Sequence, residues 1–161
     1  DPEIESYDLC GQLEECILQY EELWDEKELE LEVDIEEGAV IQADPSLMER
    51  VWNNLISNAI KFTEPGGKVT IRQTGTSDHV EVSVSDTGCG MSRESVRHIF
   101  DKFYQGDTSH SKEGNGLGLA LVRRILDLMN GEIQVISEKG KGSTFIVKLP
   151  RQKEGKAGIG G

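Results

Sequence analysis

Long hydrophobic runs are missing from this chain, and with them any candidate membrane-spanning helix. Residues 1–7 carry no initiator Met, no basic segment and no apolar segment, so no secretory signal is expected and the sequence reads as a piece excised from a longer protein. Cysteine is scarce. Cys10, Cys16 and Cys89 are odd in number and follow neither CxxC nor Cys/His metal spacing, which argues against a disulfide framework or a zinc site and for a reducing cytoplasm. Basic residues are nearly absent from the first third: residues 1–50 hold 18 Asp and Glu against only Lys27 and Arg50, whereas residues 51–161 hold 12 against 15. So acidic a beginning argues against nucleic-acid or anionic-membrane binding and is read as a solvated face on one helix and one strand. No internal repeat is evident. What is there is 161 residues, 36% hydrophobic and 29% charged, enough for one domain with a sizeable core.

The periodicity divides the chain into alternating elements. Leu13, Ile17, Leu18, Tyr20 and Leu23 recur at helical spacing among glutamates, predicting an amphipathic helix over 10–24. Leu29, Leu31, Val33 and Ile35 then alternate with acidic residues, as a half-buried strand ending at Glu37-Gly38 would. Asp44 as N-cap with Pro45 at the first helical position opens a long helix running to about Phe62, and Pro65-Gly66-Gly67 breaks it. Val69/Ile71 and Val80/Val82/Val84 read as a hairpin around Thr76-Ser77-Asp78; Ser92 caps a short helix through Ile99. Residues 105–115 contain no large apolar side chain and read as a mobile surface loop. A helix over 117–129 closes at Asn130-Gly131, and two strands around 133–135 and 145–149 flank the Gly140-Lys141-Gly142 turn. Three longer helices and about five strands, paired as hairpins, give an α+β fold: a two-layer α/β sandwich whose mixed, mainly antiparallel sheet is covered by helices on one face. Residues 1–150 make the domain, and 151–161 read as a disordered tail or an artificial remnant.

The long helix carries a polar stripe that amphipathicity does not require. At about 100° per residue, Asn54, Asn58 and Lys61 fall within an arc of roughly 60°, opposite Trp52, Leu55, Ile56 and Ala59. Over those residues the helix rises ~10 Å, comparable with a triphosphate chain. An Asn carbonyl is a hard neutral oxygen suited to Mg²⁺, and Lys is a point charge suited to phosphate. Any one of the three alone would read as solvated surface, but two Asn at i, i+4 inside a helix ask for a reason.

Two glycine clusters follow. Asp86-Thr87-Gly88-Cys89-Gly90-Met91 puts a carboxylate at a strand end, before glycines that let a ligand approach the backbone, and such a carboxylate can accept from an exocyclic amine. The same tripeptide occurs in aspartic proteases, but these need two such aspartates and here there is one. Gly114-Asn115-Gly116-Leu117-Gly118-Leu119 is a glycine-rich turn opening a helix, whose free N–H groups suit phosphates. Neither a dinucleotide-binding GxGxxG nor a P-loop Gly-Lys-Ser/Thr is present.

In order, the segment from Asn54 through Asn58, Lys61 and Phe62 to Thr63, then Asp86 to Gly90, then Phe100-Asp101-Lys102-Phe103-Tyr104, then Gly114 to Leu119 closely resemble the N, G1, F and G2 boxes of sensor histidine kinases. The resemblance spans about residues 5–150. It implies the Bergerat ATP-binding fold shared with gyrase, mismatch-repair and heat-shock-chaperone ATPases, with ATP and Mg²⁺ as cofactors. By that resemblance Asn58 is the Mg²⁺ ligand, and Asn54 and Lys61 lie near the phosphates. Asp86 takes the adenine amino group, and Gly88 and Gly90 line the base. Phe62, Met91, Phe103 and Leu117 belong to the nucleotide-binding set, Gly114, Gly116 and Gly118 serve the ATP lid, and Thr144 supplies the hydroxyl that supports the adenine contact through water. Lys102 and Gln105 stand where the family often has arginine.

The family's phosphoacceptor is a histidine followed by an acidic residue, whereas His79, His98 and His110 precede Val80, Ile99 and Ser111. The acceptor therefore belongs to a separate dimerisation and phosphotransfer domain. The resemblance implies that domain and a response regulator as partners, a monomeric isolated domain, a homodimeric full-length kinase, and the cytoplasmic portion of a membrane-bound bacterial sensor. Two other readings are an ATP-hydrolysing relative of the chaperone or topoisomerase type and a non-catalytic nucleotide-binding module. A polar segment such as 105–115 can be ordered only by phosphate contacts, so its amides should exchange quickly without ligand and slow with Mg·ATP. Hydrogen-exchange mass spectrometry giving equal rates in both states would remove it from the site.

Overall fold

The computed structural model describes residues 1–102 and 118–151. The expected loop over 105–115, with Phe103, Gly114, Gly116, Leu117 and the tail from 152 onward, lies outside the described residues. Five strands form the main sheet: β2 (Glu30–Ile35), β4 (Lys68–Gly75), β5 (His79–Asp86), β6 (Glu132–Glu138) and β7 (Gly142–Pro150), in the order β2-β4-β5-β7-β6. Only β2 and β4 run parallel. Parallel neighbours need a long crossover, and here it holds the helix α3 (Pro45–Phe62).

The inward sheet positions, Val69, Ile71, Val80, Val82, Val84, Phe145, Val147 and Leu149, are buried. Alternation puts the intervening residues, among them Ser83, Ser85, Ile146 and Lys148, on the opposite face. Helix α3 packs against β5, and the helix α5 (Gly118–Leu128) packs on α3 and β6. In α3, Met48, Val51, Trp52, Leu55, Ile56, Ala59 and Ile60 are all buried. Its N-cap, Asp44, accepts from the N–H groups of Ser46 and Leu47 at 3.0 and 3.2 Å and from Glu3 N–H at 2.8 Å. Ser92 caps α4 (Arg93–His98), and Asn130 (φ 60°) provides the left-handed turn after α5.

Two features depart from the sequence reading. The single helix expected over 10–24 is two, α1 (Leu9–Leu18) and α2 (Glu21–Glu26). At the break the chain tightens, with Tyr20 N–H on Ile17 O, and the Trp24 indole turns inward to donate to the same carbonyl at 3.3 Å. Burial of Trp24 beside α1 thus replaces helix continuity. A two-stranded antiparallel sheet, β1 (Glu5–Asp8) with β3 (Val40–Ala43), was not expected. Arg151 extends the end of β7 toward it, bridging Ile41 and reaching Glu36 at 3.6 Å and Thr76 O at 3.0 Å. All three cysteines are free, and no helix among the described residues is long and apolar enough to cross a membrane.

One side chain ties these layers together. Gln12 Oε1 accepts from Tyr7 Oη and from the Trp52 indole, each at 2.8 Å, and its Nε2 donates to Pro45 O at 2.9 Å. Gln12→Leu strands two donors and a carbonyl together, so the fold should lose about 2 kcal/mol. Urea denaturation reads the loss, and an unchanged midpoint would show that water replaces Gln12 without cost.

Candidate active site

The stripe on α3 lies along the margin of its buried face. Asn54, Asn58 and Lys61 are half-buried, while Trp52, Leu55, Ile56 and Ala59 turn inward as their spacing requires. Asn54 directs its Nδ2 back to Arg50 O at 2.9 Å, which leaves Oδ1 to face the start of α5. There Gly118 fits so closely that a Cβ would overlap Asn54 Oδ1. Lys61 extends its ammonium over the Phe62 ring, 5.7 Å from the centroid. Three polar side chains and the first turn of α5 are thereby brought to one ridge.

Asp86, the last residue of β5, forms the second half. Its Oδ1 accepts from Gly88 N–H at 2.8 Å, folding the Asp-Thr-Gly turn back on the carboxylate. Burial pushes the carboxyl pKa up, and hydrogen bonds from the backbone of Gly88 and Ser143 oppose this without cancelling it. Gly88 is packed against the end of α3, where a Cβ would overlap Phe62 O. The following glycine, Gly90, is left-handed (φ 69°), and a Cβ there would overlap Glu138 O at the end of β6. Cys89 O accepts from Gly140 N–H at 2.7 Å, seating the same turn on the β6–β7 hairpin.

Beside Asp86 lies a hydroxyl chain that sequence reasoning did not single out. Met91 N–H donates to Ser137 Oγ at 2.8 Å, and Ser137 Oγ lies 2.8 Å from Ser143 Oγ. Ser143 is the register partner of Asp86 across β5 and β7. Thr144, the hydroxyl expected to support the adenine contact, points to the other face of the sheet, where its Oγ1 meets Ser85 Oγ at 2.8 Å. The reason is the two-residue period of a strand: with Phe145, Val147 and Leu149 inward, Ser143 shares their face and Thr144 does not. The same alternation, read from the sequence, identifies Ser143.

Of the aromatic box, Phe100 is described. Its ring meets Phe145 edge-on at 6.4 Å, under the Arg123 guanidinium at 5.7 Å, so its described contacts are packing. Phe62 lies at the end of α3, where the two halves meet, and Met91 lies on the hydroxyl chain. Among the described residues no group of His, Cys, Asp or Glu could hold a metal ion. The Asn carboxamides are the neutral oxygen donors on the ridge, a donor type that suits Mg²⁺.

A family model described as "Histidine kinase-, DNA gyrase B-, and HSP90-like ATPase" matches residues 43–153. The chain belongs to this family. Within it, the chain is a histidine kinase catalytic and ATP-binding domain. It is 44% identical over 115 residues to the circadian input-output histidine kinase CikA of Synechococcus elongatus, covering 70% of this chain and 15% of that protein. The chain thus spans only a small part of that relative. The nucleotide-free catalytic domain of histidine kinase ThkA superposes with a TM-score of 0.83 at 27% identity, covering 92% of this chain and 98% of that one. Full-length ShkA, solved in complex with AMPPNP, gives 0.82 at 28% identity, covering 95% of this chain and 32% of ShkA.

The raised pKa of Asp86 sets a pH-dependent prediction. A carboxyl whose folded pKa lies above its unfolded value stabilises the fold when protonated, and this stability is lost as pH rises through the folded pKa. Asp86→Asn, which imitates the neutral form, should therefore melt higher than the parent at pH 7, with the difference closing below the ordinary carboxylate range near pH 4. Thermal melts across that interval test it; a variant less stable at neutral pH would mean that hydrogen bonds to the carboxylate outweigh its burial.

Proposed function

We propose that this chain binds Mg·ATP and presents the γ-phosphate to a histidine on a separate dimerisation and phosphotransfer domain of a two-component sensor kinase. The observation that carries the reading is the meeting of a half-buried carboxylate turn and a polar helix ridge at α3, through Gly88 on Phe62 and Gly118 on Asn54. Asp86 accepts from the adenine amino group, with Gly88, Gly90 and Met91 lining the base and Ser143 in the hydroxyl position beside it. Asn54, Asn58 and Lys61 run along the phosphates, and the N–H groups at the start of α5 add the positive end of its dipole. Asn58 would hold Mg²⁺, which when bound neutralises phosphate charge. Gly114, Gly116, Leu117 and Phe103 complete the proposed nucleotide set. Transfer consists of attack by the histidine nitrogen on the γ-phosphorus, with the bond to the bridging oxygen breaking and ADP leaving. The chain's own contribution is positioning and charge stabilisation.

Hydrolysis is disfavoured for a local reason. In the hydrolysing relatives a glutamate one turn before the Mg²⁺-binding Asn can deprotonate water; here that position is Asn54, whose carboxamide has no useful basicity. Glu49, nine residues before Asn58, is exposed on the flank of α3 where its charge acts on Cys16 and Tyr20. A response regulator is the proposed downstream partner; ThkA has been solved in complex with the response regulator TrrA. A cytoplasmic location, a domain spanning residues 1–150, a monomeric isolated chain and a homodimeric full-length kinase complete the reading.

The chain alone should bind Mg·ATP, hydrolyse it negligibly and leave its own histidines unmodified, whereas adding a histidine-bearing dimerisation domain should give labelled phosphate on that domain. Transfer of γ-labelled phosphate decides the matter. Robust hydrolysis that Asn54→Ala leaves intact would favour the ATPase class, and stable label on His79, His98 or His110 would place the acceptor within this chain.

A further inference from the structure

Helix α3 does not close on a glycine. Its C-cap, Thr63, is extended (φ −91°, ψ 131°) and Glu64-Pro65 follows, so the left-handed turn that usually returns backbone N–H groups to the last carbonyls is not formed. Side chains serve those carbonyls instead. Thr63 Oγ1 donates to Ala59 O, and Lys27, in the turn between α2 and β2, donates from Nζ to Ile60 O at 2.6 Å, Thr63 O at 2.8 Å and Lys61 O at 3.1 Å. An ammonium has three N–H bonds, and here three carbonyls receive them. Its charge also sits at the negative end of the α3 dipole.

The turn that supplies Lys27 is itself held. Glu28 is left-handed (φ 55°), Leu29 N–H donates to Trp24 O at 3.0 Å, and Lys27 O accepts from Gly66 N–H at 3.0 Å. Phe62 O is not among the carbonyls Lys27 takes; it faces Gly88. The last turn of α3 is therefore held through different carbonyls by Lys27 on one side and by the Asp86 turn on the other. Asn58 and Lys61 project from the two final turns of that helix.

We propose that Lys27 is a positioning residue for the phosphate-binding ridge: its ammonium sets where the last turns of α3 hold Asn58 and Lys61 relative to Asp86. The proposal rests on the nucleotide reading above. Lys27 contacts no substrate, and its effect falls on the phosphate side of the site, because Asp86 and Ser143 are held by the sheet.

The test compares two ligands on one variant. Wild type and Lys27→Met, each shown to be folded by thermal melting, are titrated with Mg·ATP and with adenosine. Loss of charge-assisted hydrogen bonds worth about 1.4 kcal/mol at the site corresponds to about tenfold weaker Mg·ATP binding, with adenosine affinity held within about twofold. A cap that serves stability alone would lower the melting temperature and leave both affinities unchanged, and that result overturns the proposal. An equal loss for both ligands overturns it as well. Should Lys27→Met not fold, Lys27→Arg carries the same comparison, since a planar fork retains the charge but cannot match three converging carbonyls as an ammonium does. An intermediate loss confined to Mg·ATP is expected for it, and wild-type affinity for both ligands refutes the positioning role. Failure of the wild-type protein itself to bind Mg·ATP is a different result: it refutes the nucleotide reading before any variant is compared.

Discussion

The separation between the two halves of the site depends on a contact with no spare room. Gly88 lies so close to Phe62 O that no side chain fits between them, and this approach joins the end of β5 to the end of α3. Asp86 is anchored by sheet register to Ser143, while Asn58 and Lys61 are anchored by a helix whose inner face is fully buried. Neither element can slide, because each is fixed by close-packed apolar side chains. The spacing is therefore set by the core together with two holds on the last turn of α3, the Gly88 approach and the Lys27 cap. Gly142, whose Cβ would overlap Asp86 O, closes the same corner from β7.

Two aspartates show how environment divides one residue type between tasks. Asp44 receives N–H groups from Glu3, Leu47 and Ser46, and these hold its carboxyl below the ordinary range despite the opposing effect of burial. Its contribution to stability is present above the unfolded pKa and fades as pH falls through the lowered one. Asp86 has fewer compensating donors than its burial demands, and its pKa moves the other way. A partner that donates hydrogen to it would relieve that deficit. The first aspartate is satisfied within the fold, whereas the second is left short of donors.

Much of this architecture was legible in the sequence. Asp44-Pro45 and the inward residues of α3 marked that helix and its polar ridge; the alternating valines of β4 and β5 marked a hairpin; Asn130-Gly131 marked the end of α5. Other features were hidden for identifiable reasons. Strand β1 is Glu-Ser-Tyr-Asp, without alternation to reveal it, because its stability comes from pairing with β3 and from Tyr7 on Gln12. The break at Tyr20 leaves no glycine or proline in the sequence, since the tertiary placement of Trp24 causes it. Thr144 was favoured over Ser143 by resemblance, although counting inward positions from Leu149 separates them. Lys27 stood out only as a rare cation in an acidic segment, because the carbonyls it serves are more than thirty residues away.

The small sheet gives the molecule a mechanical linkage. Strand β3 ends at Ala43, Asp44 follows, and α3 begins at Pro45, so β3 and the helix bearing the polar ridge share one continuous backbone with a single residue between them. β1 is zipped to β3 over four register pairs, and Glu3 N–H is bonded directly to the Asp44 carboxylate. A displacement of β1 therefore bears directly on the head of α3. This edge of the fold is thus joined to the ridge-bearing helix by continuous backbone and by hydrogen bonds, and not by side-chain packing alone.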